Sequence, residues 1–119
     1  MTESSCSKRD TDRLTAIVKF CEDIRYLIQL HGSDERDFRE NNSLRSSCLF
    51  CMMQIGEYVK RLSSGLKSAH SEIDWRGAAG MVDIIANRCI DMNISRIRPV
   101  IMEKIPDLER KCRSILNGP

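Results

Sequence analysis

The chain has 119 residues, of which 41% are hydrophobic and 30% are charged, and these values indicate one globular domain with its own core. The sequence contains no apolar run of the length that spans a membrane, and its polar, charged start lacks the pattern of a signal peptide. Its net charge of +2 is too small to indicate a dedicated nucleic-acid binder by itself. We therefore expect a cytoplasmic protein without a membrane anchor.

The cysteine content could in principle indicate a disulfide framework or a metal centre, since the chain has six cysteines. A disulfide framework requires an oxidising compartment, to which nothing in the sequence directs the chain. Cys48 and Cys51 form a C-x-x-C pair, but a zinc site needs four ligands and no second pair follows at a suitable spacing. We predict reduced cysteines, no bound metal and no cofactor.

The first part of the chain predicts a polar leader, a long helix and a short helical turn. Residues 1–9 are rich in serine and charge, without apolar periodicity, and are expected to form a flexible leader. A helix is predicted to begin at Asp10 or Asp12, both good N-caps, and to end at Gly32. Between them runs one apolar stripe at steps of three and four residues. The charged segment 34–40 surrounds a single aromatic residue, Phe38, which suits one helical turn.

A long third helix is predicted to begin at Asn42 or Ser43 and to run to about Leu66. It has two apolar stripes, a main one from Leu44 to Leu62 and a second one composed of Leu49, Met53 and Gly56. Two apolar faces on one helix indicate two neighbours, and the second of these can be a partner chain. The sequence therefore predicts a homodimer formed mainly by this helix and the one that follows it.

The remaining sequence predicts a helix over 76–89 and a final helical region over 94–116. Trp75 is expected to anchor the start of the first of these helices by packing. Pro99 should bend the beginning of the last region, and Pro106 should split it in two. No alternating pattern of strands is present. The prediction is an all-α, antiparallel bundle of four to five helices, occupying residues 10–119 as one domain.

Three sequence blocks carry a resemblance to a known family. They are Ile55-Gly56-Glu57, then Ile73-Asp74-Trp75-Arg76, then Gly80-Met81. In this order and spacing they resemble the HepT-like branch of the HEPN superfamily, whose members are small helical bundles of prokaryotic toxin–antitoxin pairs. The resemblance extends over residues 10–116. It implies a HEPN-type bundle, a homodimer, metal-independent RNA cleavage and a nucleotidyltransferase as the antitoxin partner.

The catalytic motif of that family is Arg-x4-His followed by x-Tyr, and this chain departs from it at each of these positions. The family Arg falls on Val82, the His on Asn87 and the AMP-accepting Tyr on Cys89, while the residue after the Arg is Asp83. Valine cannot hold a phosphate, asparagine cannot titrate and cysteine has no phenol hydroxyl. The resemblance thus implies an RNase-fold dimer whose centre is catalytically impaired and which acts by binding its partner or RNA.

Two other interpretations of the sequence remain open at this point. Arg76 and Arg88 are candidate phosphate-binding residues, and with Asn87 and His70 they could form an alternative cluster of a working ribonuclease toxin. In that case His70 would supply the imidazole that position 87 lacks. Alternatively, the chain is a plain helical interaction protein that shares only ancestry with the family. Glu57 could pair with an arginine across a dimer interface or could be a solvated helix charge.

Overall fold

The computed structural model describes residues 6–80 and 94–118, with the side chains of 94 and 95 excepted. Its elements are the helices α1 (Lys8–His31), α2 (Glu35–Glu40), α3 (Asn42–Arg61), α4 (Ser64–Ala69), α5 (75–80), α6 (Ile94–Pro99) and α7 (Ile105–Asn117), with a π-helical turn, Val100–Lys104, between the last two. These described ranges contain no strand, and the predicted all-α helical bundle is confirmed. No helix within them is long and apolar enough to cross a membrane.

Helix α1 lies between α3 and α7, and both run antiparallel to it. The direction of α3 follows from its two ends, since Arg13 donates to the Arg61 carbonyl at one end and Asn41 lies 3.5 Å from His31 at the other. The apolar stripe that the sequence predicts on α1 is buried between these neighbours. The core includes Leu14, Ile17, Val18, Cys21 and Ile24 of α1, Leu44, Cys48, Ile55 and Val59 of α3, and Ile101, Ile105, Leu108 and Cys112 of the C-terminal region.

The predicted start of α1 is too late, by two residues for Asp10 and by four residues for Asp12. Ser7 is the N-cap, with its hydroxyl accepting from the Asp10 amide at 3.1 Å, so the helix begins at Lys8 inside the predicted leader. Asp10 does not cap the helix but has another role. It is buried, with only 2% of its surface exposed. Its carboxylate accepts hydrogen bonds from the amide and the hydroxyl of Ser63. At the other end of α1, Gly32 terminates the helix as predicted.

The predicted third helix is two helices. Asn41, and neither Asn42 nor Ser43, is the N-cap of α3, and α3 ends at Arg61. The chain turns at Leu62, and Ser63 then caps α4 by accepting from the Leu66 amide. The break occurs because the Ser63 hydroxyl serves as a cap at this position, and a serine cap competes with continued helix. Leu62 and Leu66 are nevertheless both buried, so the predicted apolar stripe continues across the break.

The second apolar stripe of α3 is only partly available to a partner. Leu49 packs against the core and Gly56 is buried, whereas Met53 is 37% exposed. The amphipathic pattern could not distinguish these cases, because the tilt of α3 on α1 decides which flanking positions the bundle covers.

Pro106 does not split the C-terminal region as predicted, because the helical backbone is continuous from α6 to α7. The Ile105 amide bonds to the Val100 carbonyl across the π-helical turn, and Pro106 follows in the first turn of α7. Proline is tolerated at this position, since the first amides of a helix need no partner within it. Pro99 lies within α6 as its last residue. Between them, the wider turn keeps Ile101 and Ile105 directed into the core.

Candidate functional site

The described part of the predicted site is the turn that leads into α5. The Asp74 carboxylate accepts from the Gly77 amide at 2.9 Å, which makes Asp74 the cap of this helix. A Cβ atom at position 77 would lie 2.2 Å from Asp74 Oδ2, so glycine leaves the space that the cap occupies. Trp75 is buried, and its indole N–H donates to the His70 carbonyl at 3.0 Å. Trp75 is thus the packing anchor that the sequence predicts.

Anchoring of Trp75 places Arg76 on the surface at the start of α5. His70, the C-cap of α4, precedes the same turn, with its side chain partly exposed and Nδ1 3.8 Å from a Glu72 carboxylate oxygen. His70 and Arg76 therefore lie at the two ends of one turn, which is held by the hydrogen bond from the Trp75 indole to the His70 carbonyl. His31 lies elsewhere, exposed at the end of α1.

The other predicted site residues lie outside the described residues. These are Val82, Asp83, Asn87, Arg88 and Cys89. Their residue types, read from the sequence, define which functional groups these positions carry. Glu57, which the sequence singled out on α3, is half-buried.

The thiols described by the structure are not linked to one another. Four of these five cysteines are buried, namely Cys21, Cys48, Cys51 and Cys112. Burial raises the pKa of Cys48 and Cys112 to about 12 and that of Cys51 to about 11. Within 6–80 and 94–118 no three His, Cys, Asp or Glu side chains are grouped to hold a metal ion. Such thiols are poor nucleophiles, because the reactive form is the thiolate.

A row of aromatic side chains, not predicted from the sequence, lies along the junction of α1 and α3. The Phe20 ring lies 6.2 Å from the Phe50 ring in an edge-to-face arrangement and 6.2 Å from the Tyr58 ring in a stacked one. Cations flank the row, with Lys19 Nζ 5.3 Å from the centre of the Phe20 ring and Arg61 5.7 Å from that of Tyr58. Phe20, Phe50 and Tyr58 lie outside the stripes used to predict the core. Aromatic residues outside the apolar stripes of two neighbouring helices were the sequence signal from which this row could have been predicted.

The row borders an open groove, which we call the α1–α3 groove, with a volume of about 430 Å³. It is lined by Phe20, Asp23, Tyr26, Leu27, Ser46, Ser47, Phe50 and Cys51. Tyr26 is 63% exposed and Phe50 is 56% exposed, so both aromatic side chains are accessible to solvent. The groove combines aromatic rings with two hydroxyls and one carboxylate.

Together these features define a small all-α bundle protein with an exposed arginine at the start of a tryptophan-anchored helix and an aromatic groove on another face. The family model described as Ribonuclease HepT-like matches residues 13–115. The chain belongs to the HepT-like ribonuclease family, as the resemblance of its three sequence blocks predicted.

A protein of Caldanaerobacter subterraneus subsp. tengcongensis, which carries the name Putative RNase TTE0752, is 31% identical to this chain over 104 residues. The match covers 87% of this chain and 90% of the relative. No solved structure matches the chain significantly.

Proposed function

We propose that this protein is the HepT-like component of a toxin–antitoxin type system, with a ribonuclease centre that is catalytically impaired. In this proposal it is a cytoplasmic homodimer that acts by binding a nucleotidyltransferase-type antitoxin or RNA. The observation that carries the proposal is the sequence at the three motif positions, Val82, Asn87 and Cys89.

The chemistry of RNA cleavage gives these substitutions their weight. A metal-independent ribonuclease moves a proton from the ribose 2′-hydroxyl and another to the leaving oxygen, which requires a group that titrates near neutral pH. Asn87 cannot do this. The loss of such a group costs about 10²- to 10⁴-fold in rate. Val82 cannot stabilise charge on the phosphate, and a missing donor of that kind costs about 10²- to 10³-fold.

Exposed apolar surface on α3 supports the homodimer. Met53, on the second apolar stripe of α3, is 37% exposed, so part of the face that indicates a second neighbour is left uncovered by the bundle. Sedimentation velocity at micromolar concentration tests this part of the proposal, with a dimer as the expected species. Met53→Glu should shift the distribution to monomer. A wild-type monomer at that concentration contradicts the proposed dimer.

A second candidate function is an active ribonuclease with an alternative catalytic cluster. One observation favours it, namely that His70 and Arg76 flank the same hydrogen-bonded turn. In this alternative, the His70 imidazole transfers protons while Arg76 and Arg88 bind the phosphate. Asn87 would contribute a hydrogen bond.

An RNA cleavage assay separates the two candidates. Pure wild-type protein is compared at pH 6 to 8 with His70→Ala and with the triple variant Val82→Arg, Asn87→His, Cys89→Tyr. We expect wild-type protein to cleave RNA no faster than buffer does and the folded triple variant to gain activity. Circular dichroism and thermal unfolding verify that each variant is folded. Cleavage by the wild type that disappears in His70→Ala overturns the impaired centre and supports the alternative cluster.

Copurification tests the partner. The chain is expressed with the nucleotidyltransferase encoded beside it, and a tag on the nucleotidyltransferase is used to recover the complex. We expect both chains in a fixed ratio. Recovery of the tagged protein alone contradicts the antitoxin partner and leaves a helical protein that shares only ancestry with the toxins.

A further inference from the structure

The α1–α3 groove has the chemical composition of a site for a flat, polar-edged ring. Phe20, Tyr26 and Phe50 supply aromatic faces and edges, and stacking on such faces accepts any nucleobase. Ser46 and Ser47 supply hydroxyls that can donate or accept, and the Asp23 carboxylate accepts from an N–H group of a base edge, such as N3–H of uracil. The volume of about 430 Å³ accommodates a single ring system with its sugar.

The charges around the groove favour a phosphate beside that ring. Lys19 lies over Phe20, and Arg61 lies over Tyr58 at the end of the aromatic row. Lys19 also pairs with Asp23 at 2.9 Å, but both side chains are well exposed, so this pair costs little to open. Arg61 is exposed beyond the groove, where it can contact a further phosphate of a longer strand.

From these observations we propose that the α1–α3 groove binds an unpaired nucleobase with its phosphate, presented by a nucleotide or by single-stranded RNA. The base stacks against Phe50 and Tyr26, its edge meets Ser46, Ser47 and Asp23, and the phosphate faces Lys19. The choice of RNA as one source rests on the proposed function, whereas the base chemistry rests on the groove.

A protein partner fits this groove less well. The centre of a protein–protein interface is depleted in charge. Here a carboxylate and two hydroxyls lie among the rings, and Lys19 lies over the Phe20 ring. A nucleotide uses all of these groups, because it has a polar edge, a flat face and a negative charge.

Binding is measured with the full-length protein by fluorescence anisotropy of a labelled oligouridylate and by competition with uridine and uridine monophosphate. We expect Phe50→Ala to weaken oligonucleotide binding about 5- to 150-fold, the range for loss of one stacking contact. Phe50→Trp should preserve binding, because it retains a ring. Leu30→Ala is the matched control, since Leu30 is 60% exposed on α1 but does not line the groove.

The two sources are distinguished by the competitors. Competition by the monophosphate at concentrations near those of the oligonucleotide indicates a nucleotide site, and failure of the monophosphate with retained oligonucleotide binding indicates a strand. Lys19→Gln should weaken binding of the monophosphate more than binding of uridine. Cross-links from 5-iodouridine in the oligonucleotide should map to peptides that contain residues 20–27 or 46–58.

Equal oligonucleotide binding by Phe50→Ala and wild-type protein overturns the proposal. So does a Phe50→Ala variant that loses self-association or antitoxin binding while its nucleotide binding is unchanged, because the face is then a protein interface. Neither result bears on the impaired centre, which is tested by cleavage. Likewise, cleavage by the wild type leaves the groove proposal intact.

Discussion

The carboxylate of Asp10 receives both the backbone amide and the hydroxyl of Ser63, a residue 53 positions further along the chain. The same Ser63 hydroxyl accepts from the Leu66 amide and caps α4. One buried carboxylate in the first turn of α1 thus holds the junction at which α3 gives way to α4. This junction precedes the turn that carries His70 and Trp75.

We predict that Asp10→Ala lowers the free energy of unfolding by about 1–3 kcal/mol, because the amide and the hydroxyl of Ser63 then lose a charged acceptor that is itself buried. Ser63→Ala should cost about 0.5–2 kcal/mol through the loss of the cap. The double variant should cost less than the sum, since the two residues share one network. Urea unfolding measures these values. Asp12→Ala is the control, because Asp12 is exposed and forms a surface ion pair with Lys8. A double variant that costs the full sum contradicts the coupling.

We predict that Gly32→Ala destabilises the protein by more than 1 kcal/mol, whereas Gly65→Ala is neutral or slightly stabilising. Gly32 has a φ of 101°, and a Cβ there would lie 2.3 Å from Asp37 Oδ2, within the α2 cap. Gly65 has only the Ser63 hydroxyl at 4.0 Å from such a Cβ, and it lies within the helix α4. Thermal unfolding of the two variants provides the comparison. Equal midpoints for both variants contradict the assignment of strain to Gly32.

We predict that stability falls as the pH rises above about 9. Burial raises the pKa of Cys112 to about 12, whereas the ordinary pKa of a cysteine thiol is about 9.0. Between these values the unfolded chain binds fewer protons than the native one, so the free energy of unfolding decreases with pH. Below pH 9 this contribution is fully present. One such thiol changes the slope by at most about 1.4 kcal/mol per pH unit.

The measurement is urea unfolding of wild-type protein and Cys112→Ala at several pH values between 8 and 10.5. Tyrosines and lysines titrate in both proteins, so the difference between the two curves isolates the thiol. We expect Cys112→Ala to have the shallower loss of stability. Intact-mass analysis of native protein checks the related prediction of reduced, metal-free cysteines, and bound zinc or a Cys48–Cys51 link would contradict it.

We predict that a cognate nucleotidyltransferase with ATP leaves peptides covering 82–98 unmodified, because Cys89 offers no phenol hydroxyl at the acceptor position. Peptide mass spectrometry after incubation measures this. Cys89→Tyr in the same assay is the positive comparison. The chain has two tyrosines, Tyr26 and Tyr58, on α1 and α3. AMP found on Tyr58 would show that the acceptor site is rearranged, and AMP on Cys89 would contradict the prediction directly.

The helices and the buried stripe were largely predictable from local sequence, whereas their ends were not. Leu14, Ile17 and Ile24 repeat at helical spacing, and burial follows from that repeat whatever the neighbours are. The helix start depends on which of several polar residues accepts an amide. Ser7 and Asp10 are both good caps, and Asp10 is used elsewhere because α3 delivers Ser63 to it.

For the candidate site too, some features could be predicted from the sequence and others could not. The residue types at positions 82, 87 and 89 determine which proton transfers and phosphate contacts are chemically available there. These reactions depend on the functional group of each side chain, which the sequence gives directly. Sequence also determined the helical class and the family. Only the tertiary structure decided that Phe20 and Tyr26 of α1 meet Phe50 of α3 along an open groove, and that His70 and Arg76 flank one anchored turn. These contacts depend on the angle at which two helices cross and on the residue at which α3 ends. Long-range packing determines both, and the periodicity of one helix carries no information about them.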